Sequence, residues 1–117
     1  MKRVLVIDDA TFMRMSIRNI LVRNGFEMVG EAENGRIGYK KYMELKPDLV
    51  TMDLTMPEMN GIEALKKIKA FDAEAKVIII TAMGQEPLIK EAILSGAKGF
   101  IVKPFKEETL LSALNKV

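Results

Sequence analysis

Five short apolar runs, each followed by a longer stretch with helical spacing, constrain this chain more than any other feature. The runs are Val4–Ile7, Met28–Ala32 (interrupted by Gly30 and Glu31), Leu49–Met52, Val77–Ile80 and Phe100–Val102. Three of them are rich in β-branched residues and apolar on both faces, as strands buried on both sides of a sheet must be. The stretches between them place apolar residues on one helical face. Met13, Ile17, Ile20 and Leu21 form the first stripe, which stops at the helix-ending pair Asn24-Gly25. Tyr39, Tyr42 and Leu45 form the second, before Pro47, and Ile62, Leu65 and Ile68 the third. Ile89, Ala92 and Ile93 form the fourth, with Pro87 near its start and Gly96 after its end, and Leu110, Leu111 and Leu114 form the last. Strict alternation with short connections predicts parallel strands joined by right-handed crossovers, hence a three-layer, doubly wound α/β domain with a five-stranded sheet. With 117 residues, the chain is expected to form one domain, 1–117, around that sheet. The second helix is the weakest of the five. Gly38 lies inside it at a cost of about 1 kcal/mol relative to Ala, so it either allows close packing on the sheet or leaves the helix soft.

Composition narrows the chemistry. No apolar run approaches the ~18 residues of a membrane span, and the start MKRVLVIDD turns acidic too early for a signal peptide. A formal charge of +2 makes no case for nucleic acid. The absence of Cys excludes disulfides, thiol catalysis and thiolate metal sites, and the absence of His excludes Ser-His-Asp triads and imidazole ligands. Any metal must therefore be held by oxygen, which points to Mg²⁺ or Ca²⁺.

In parallel α/β sheets, ligands gather beyond the carboxyl ends of the strands. Here the first run ends in Asp8-Asp9, the third in Asp53, the fourth in Thr81 and the fifth in Lys103. Each has a plain explanation alone, because Asp and Thr suit turns and caps and Lys is usually solvated. Together they would put three carboxylates, a hydroxyl and an ammonium on one edge of one sheet. Carboxylates held close repel, and a hard divalent cation relieves the conflict while leaving coordination places for phosphate oxygens. A lysine suits a phosphoryl oxygen or a carboxylate, and a threonine can donate to the same group. These are the parts of phosphoryl transfer, for which a carboxylate can be the nucleophile. Asp53 is the candidate nucleophile because it stands alone on a central run, with Asp8 and Asp9 as the metal-binding pair.

In the order and spacing of IDDAT, DLVTMDLTMPEMNGIEAL, TAM and GAKGFIVKPF, the chain resembles bacterial response-regulator receiver domains over essentially its whole length. The resemblance implies a flavodoxin-like strand order 2-1-3-4-5. It implies Asp53 as phosphoacceptor, Asp9 as a direct Mg²⁺ ligand, Asp8 acting mainly through water, and the backbone carbonyl of Thr55 as a further ligand. Lys103 would contact the phosphoryl group, Thr81 would turn toward it after transfer, and the Lys103–Pro104 bond would be cis. Phe100 stands where the family keeps an aromatic switch residue, often Tyr. Without a hydroxyl it would act through shape. Ile89, Ile93 and Phe100 would form the partner surface, although spacing alone assigns the two isoleucines to the core.

Within the family, the segments IDDATFMRMSIRNILVRNGFE, TMDLTMPEMNGI and TAMGQ resemble the stand-alone chemotaxis regulators. This implies a cytoplasmic, monomeric signalling switch rather than an enzyme, with slow self-dephosphorylation. Its partners would be a histidine kinase, the flagellar motor switch and a phosphatase, with no nucleic acid or membrane among them. A receiver cut from a phosphorelay protein or a DNA-binding regulator would read the same way. An aspartyl-phosphate phosphohydrolase is disfavoured because its nucleophile should follow the first strand in an Asp-x-Asp pattern. A flavin module is disfavoured because Asp8-Asp9 would repel the flavin phosphate. The methionines Met13, Met56, Met59 and Met83 are expected near the site, as adaptable packing or loop filler.

Overall fold

The computed structural model describes residues 2–117. Strands and helices alternate as β1 (Arg3–Ile7), α1 (Thr11–Arg23), β2 (Glu27–Ala32), α2 (Gly35–Leu45), β3 (Leu49–Met52), α3 (Gly61–Phe71), β4 (Val77–Ala82), α4 (Glu86–Leu94), β5 (Gly99–Lys103) and α5 (Glu107–Asn115). The strands form one sheet in the order β2-β1-β3-β4-β5, with every neighbouring pair parallel.

Side chains alternate across a strand, so each buried run feeds two cores. Leu5, Ile7, Val50, Met52, Val77 and Ile79 pack against residues of α2, α3 and α4 on one face. Val4, Val6, Leu49, Ile78, Ile80 and Ile101 pack against residues of α1 and α5 on the other. This two-sided burial explains why β1, β3 and β4 are buried along almost their whole length while the edge strand β2 is not. The interruption at Gly30 and Glu31 falls on a register irregularity, where Val4 pairs with Met28 but Leu5 pairs with Gly30.

Gly38 is a packing residue. A Cβ there would lie 2.5 Å from Cδ1 and 3.0 Å from Cγ1 of the buried Ile7, so its absence lets α2 sit directly on β1. The start of α2 is capped by Asn34, whose Oδ1 accepts from Ile37 N at 2.8 Å, and α3 is capped by Asn60, whose Oδ1 accepts from Glu63 N at 3.0 Å. Tyr42 of α2 donates its hydroxyl to Asp72 after α3 at 2.7 Å. Burial, with help from that carboxylate, pushes the phenol well above its ordinary range, and the same bond holds Asp72 below its own.

Four strands, β1, β2, β4 and β5, run past the apolar runs read in the sequence. β4 continues through Thr81 to Ala82, because β5 pairs alongside it as far as Ala82 opposite Lys103. Thr81, one residue before the end of β4, and Lys103, the last residue of β5, are thus strand residues rather than the first loop residues. The order of the strands matters for function because the chain leaves β1 toward one face through α1 and β3 toward the other through α3. A crevice opens between those connections at the carboxyl end of the sheet.

Candidate functional site

The crevice is built from the ends of β1, β3, β4 and β5. Backbone bonds fix its floor: Asp53 N donates to Ile7 O at 3.0 Å, Asp8 N to Ala32 O at 3.0 Å, and Gly61 N to Leu54 O at 2.9 Å. Lys103 reaches in from β5, its Nζ 2.7 Å from Asp8 Oδ2 and 3.5 Å from Asp53 Oδ2. Asp8 and Asp53 are buried and Asp9 is exposed. One carboxylate oxygen from each of Asp8, Asp9 and Asp53 lies within 4.8 Å of the others. All the acids singled out in the sequence therefore converge, together with the lysine.

The Lys103 ammonium pairs with two of the three carboxylates, Asp8 and Asp53. Burial pushes the Asp53 carboxyl above its ordinary range, and Asp8 and Asp9 add to the rise; the Lys103 charge and the Thr55 N–H, 3.4 Å from Asp53 Oδ1, act against it. An all-oxygen set of acids with unrelieved repulsion fits a small, hard divalent cation. Thr81 stands on the next strand, fully buried, and among the described residues its hydroxyl has no hydrogen-bond partner. The Lys103–Pro104 bond is cis.

The loop after β3 is held by residues that the sequence did not flag. Glu58 adopts a left-handed conformation, φ 65°, and its Oε2 accepts from Asn34 Nδ2 at 2.6 Å, with Arg36 3.6 Å away. Gly35 N donates to Met59 O at 2.9 Å. A Cβ on Gly35 would collide with that carbonyl oxygen, and one on Gly61 would collide with the Asp53 carbonyl oxygen. The Asn34-Gly35 pair ahead of a helical stripe was the available signal for this contact. Met56 and Met59 of the same loop pack against the core and Met13 packs against the opposite core, while Met83 is exposed.

The three residues proposed for a partner surface divide. Ile89 is buried, whereas Ile93 is 41% exposed and Phe100 52% exposed. Ile93 is thus not core, contrary to its spacing, because it lies on the side of α4 beside β5, the sheet edge, where among the described residues no further helix covers it. Ile89 forms the floor, and Ile93, Leu94, Phe100 and Val102 the sides, of a shallow apolar groove.

Comparison with known proteins agrees with this geometry. The model of the response regulator receiver domain matches residues 4–115. The chain is 60% identical over 114 residues to the chemotaxis protein CheY of Bacillus subtilis, covering 97% of this chain and 95% of that protein. It is 58% identical over 116 residues to CheY of Thermotoga maritima, covering 99% and 97% respectively. Among solved structures, the CheX–CheY–BeF3–Mg complex of Borrelia burgdorferi aligns with a TM-score of 0.94 at 38% identity, covering 98% of this chain and 87% of that one. The strand order found here is the one for which CheY and flavodoxin are standard examples. With its acids and lysine gathered at the rim of such a sheet and a family match spanning nearly every residue, the chain belongs to the response regulator receiver domain family.

Proposed function

We propose that this chain is a chemotaxis response regulator in which Asp53 accepts a phosphoryl group from the phosphohistidine of a partner kinase. The observation that carries the reading is the Lys103 ammonium set between Asp8 and Asp53, inside a group of three acids. Asp53 attacks phosphorus through a carboxylate oxygen; the phosphorus–nitrogen bond breaks, and the histidine ring leaves as neutral imidazole, keeping the proton already on its other nitrogen. Asp8 holds Lys103 in place to meet the charge on the transferred group. Asp8, Asp9, Asp53 and the carbonyl of Thr55 would hold Mg²⁺, which when bound supplies positive charge to the phosphoryl oxygens.

The buried, unpartnered hydroxyl of Thr81 gains an acceptor once a phosphoryl group sits on Asp53. That gain biases the end of β4 toward a second arrangement, and Phe100 on the neighbouring strand β5 responds by repacking. The output is binding, through the groove between α4 and β5, to the flagellar motor switch; a phosphatase then resets the site. The chain acts as a cytoplasmic monomer and as a switch rather than an enzyme.

Incubation with Mg²⁺ and acetyl phosphate, followed by intact-mass measurement, should add one phosphoryl group to the native chain and none to the Asp53→Asn variant. A gain that persists in the variant removes Asp53 as acceptor. A flagellar switch peptide should be retained more strongly with beryllofluoride than without. Equal retention removes the motor output and leaves the acceptor chemistry standing.

A further inference from the structure

We infer that Arg14 is a positioning residue for the acids that would hold magnesium: its guanidinium fixes the turn from which Asp8 and Asp9 project. The inference rests on the functional reading above. The turn lacks the usual device for setting a helix start. Ala10 occupies the cap position of α1 and offers no side-chain bond to the first turn. Arg14 reaches back from inside the helix instead. Its Nη1 donates to Asp8 O at 2.6 Å, its Nη2 to Thr11 Oγ1 at 3.2 Å, and its Nε to Glu31 Oε1 at 2.6 Å. Lys41 Nζ donates to Glu31 O at 2.5 Å, so the far anchor is itself tied to α2.

The geometry bears directly on Asp9. Asp8 is held from four sides: its N–H by Ala32, its carbonyl by Arg14, and its two carboxylate oxygens by Ala10 N and Lys103. Asp9 is exposed, and among the described residues no side-chain hydrogen bond steadies its carboxylate. The direction in which Asp9 leaves the chain is therefore set by the Asp8–Asp9 peptide plane, which the Arg14 bond to Asp8 O fixes. The Arg14 side chain is only 13% exposed, which keeps these charge-assisted bonds partly shielded from water. A lysine at this position would keep the charge but could not present a planar fork to the three acceptors at once.

The test combines magnesium affinity by calorimetry, amide exchange at Ala10, and the magnesium dependence of phosphorylation by acetyl phosphate. Arg14→Lys and Arg14→Gln are each expected to weaken Mg²⁺ binding about 10-fold, as loss of an outer partner to metal ligands does. Ala10 exchange should accelerate even without metal. The maximal phosphorylation rate at saturating Mg²⁺ should stay near that of the native chain, a split that general destabilisation would not produce. The exposed Glu31→Gln change should cause a smaller loss in the same direction, and it decides the matter if the Arg14 variants do not fold. Unchanged affinity in folded Arg14→Lys and in Glu31→Gln overturns the inference while a phosphorylated native chain keeps the functional reading. A native chain that takes neither Mg²⁺ nor phosphoryl group overturns both.

Discussion

Thr51 lies in the middle of β3, between Val6 on β1 and Ile78 on β4, and is 1% exposed. Among the described residues its hydroxyl has no hydrogen-bond partner, which costs about 1–3 kcal/mol where the group is fully desolvated. Valine has nearly the same shape without the polar atom. Thr51→Val is therefore expected to stabilise the fold by about 1 kcal/mol, read as a higher urea midpoint at unchanged slope. A lower midpoint would mean that a buried water satisfies the hydroxyl. Thr81 has the same defect but stands at the rim, where the proposed chemistry supplies an acceptor. Residues such as Asp8, Asp9, Asp53 and Lys103 were legible in the sequence because acids and an amine at successive strand ends have few purely structural explanations. Arg14, Asn34 and Glu58 were not, because each is an ordinary surface residue type whose role depends on partners 6 to 24 positions away. Ile93 misled for a related reason: spacing identifies the apolar side of a helix but not whether the sheet extends far enough to cover it.

At the scale of elements, the connection from β3 to α3 shows how a helix start constrains the acceptor. Gly61 opens α3, and a Cβ there would run into the Asp53 carbonyl oxygen and lie 2.8 Å from Leu54 Cα. Both are backbone atoms and cannot swing aside as a side chain could. Gly61→Ala is expected to cost about 2 kcal/mol, in line with other overpacked sites, and to slow phosphorylation by displacing Asp53. Asn60→Ala, one residue earlier, removes only the cap on Glu63 N and is expected to cost about 1 kcal/mol with phosphorylation intact. Denaturant melts and acetyl phosphate kinetics on the pair separate the two effects; equal phosphorylation rates would show that the loop absorbs the extra methyl. The elements themselves were legible because two-sided burial leaves long apolar signatures. Their ends were less so. The extension of β4 depends on pairing with β5, a long-range fact that local spacing does not contain. Gly38 was ambiguous for the same reason, since only the approach of Ile7 decides between softness and close packing.

For the whole molecule, the site lowers stability in a way that pH and metal should reveal. Asp53 is 5% exposed, and burial above all pushes its carboxyl upward, with Asp8 and Asp9 reinforcing the rise and Lys103 opposing it. A carboxyl with a raised folded pKa binds its proton more readily in the native state than in the unfolded chain. The stability this contributes is fully present below the ordinary carboxylate value of about 4 and is lost as pH rises through the raised value. At neutral pH, without metal, ionised Asp53 therefore works against the fold. The Asp53→Asn variant should then be more stable than the native chain, and the difference should shrink toward zero as pH falls below about 4. Magnesium should reverse the order. The native chain gains about 2.7 kcal/mol when the free ion is at 100 times its dissociation constant, and the variant, missing one acid, gains less. Urea melts of both chains at neutral and acid pH, with and without Mg²⁺, test all of these differences. A variant less stable than the native chain at neutral pH in the absence of metal would show that the attraction of Lys103 outweighs burial. The acids would then be already balanced by the lysine, and the case for a cation at this rim would lose its electrostatic basis.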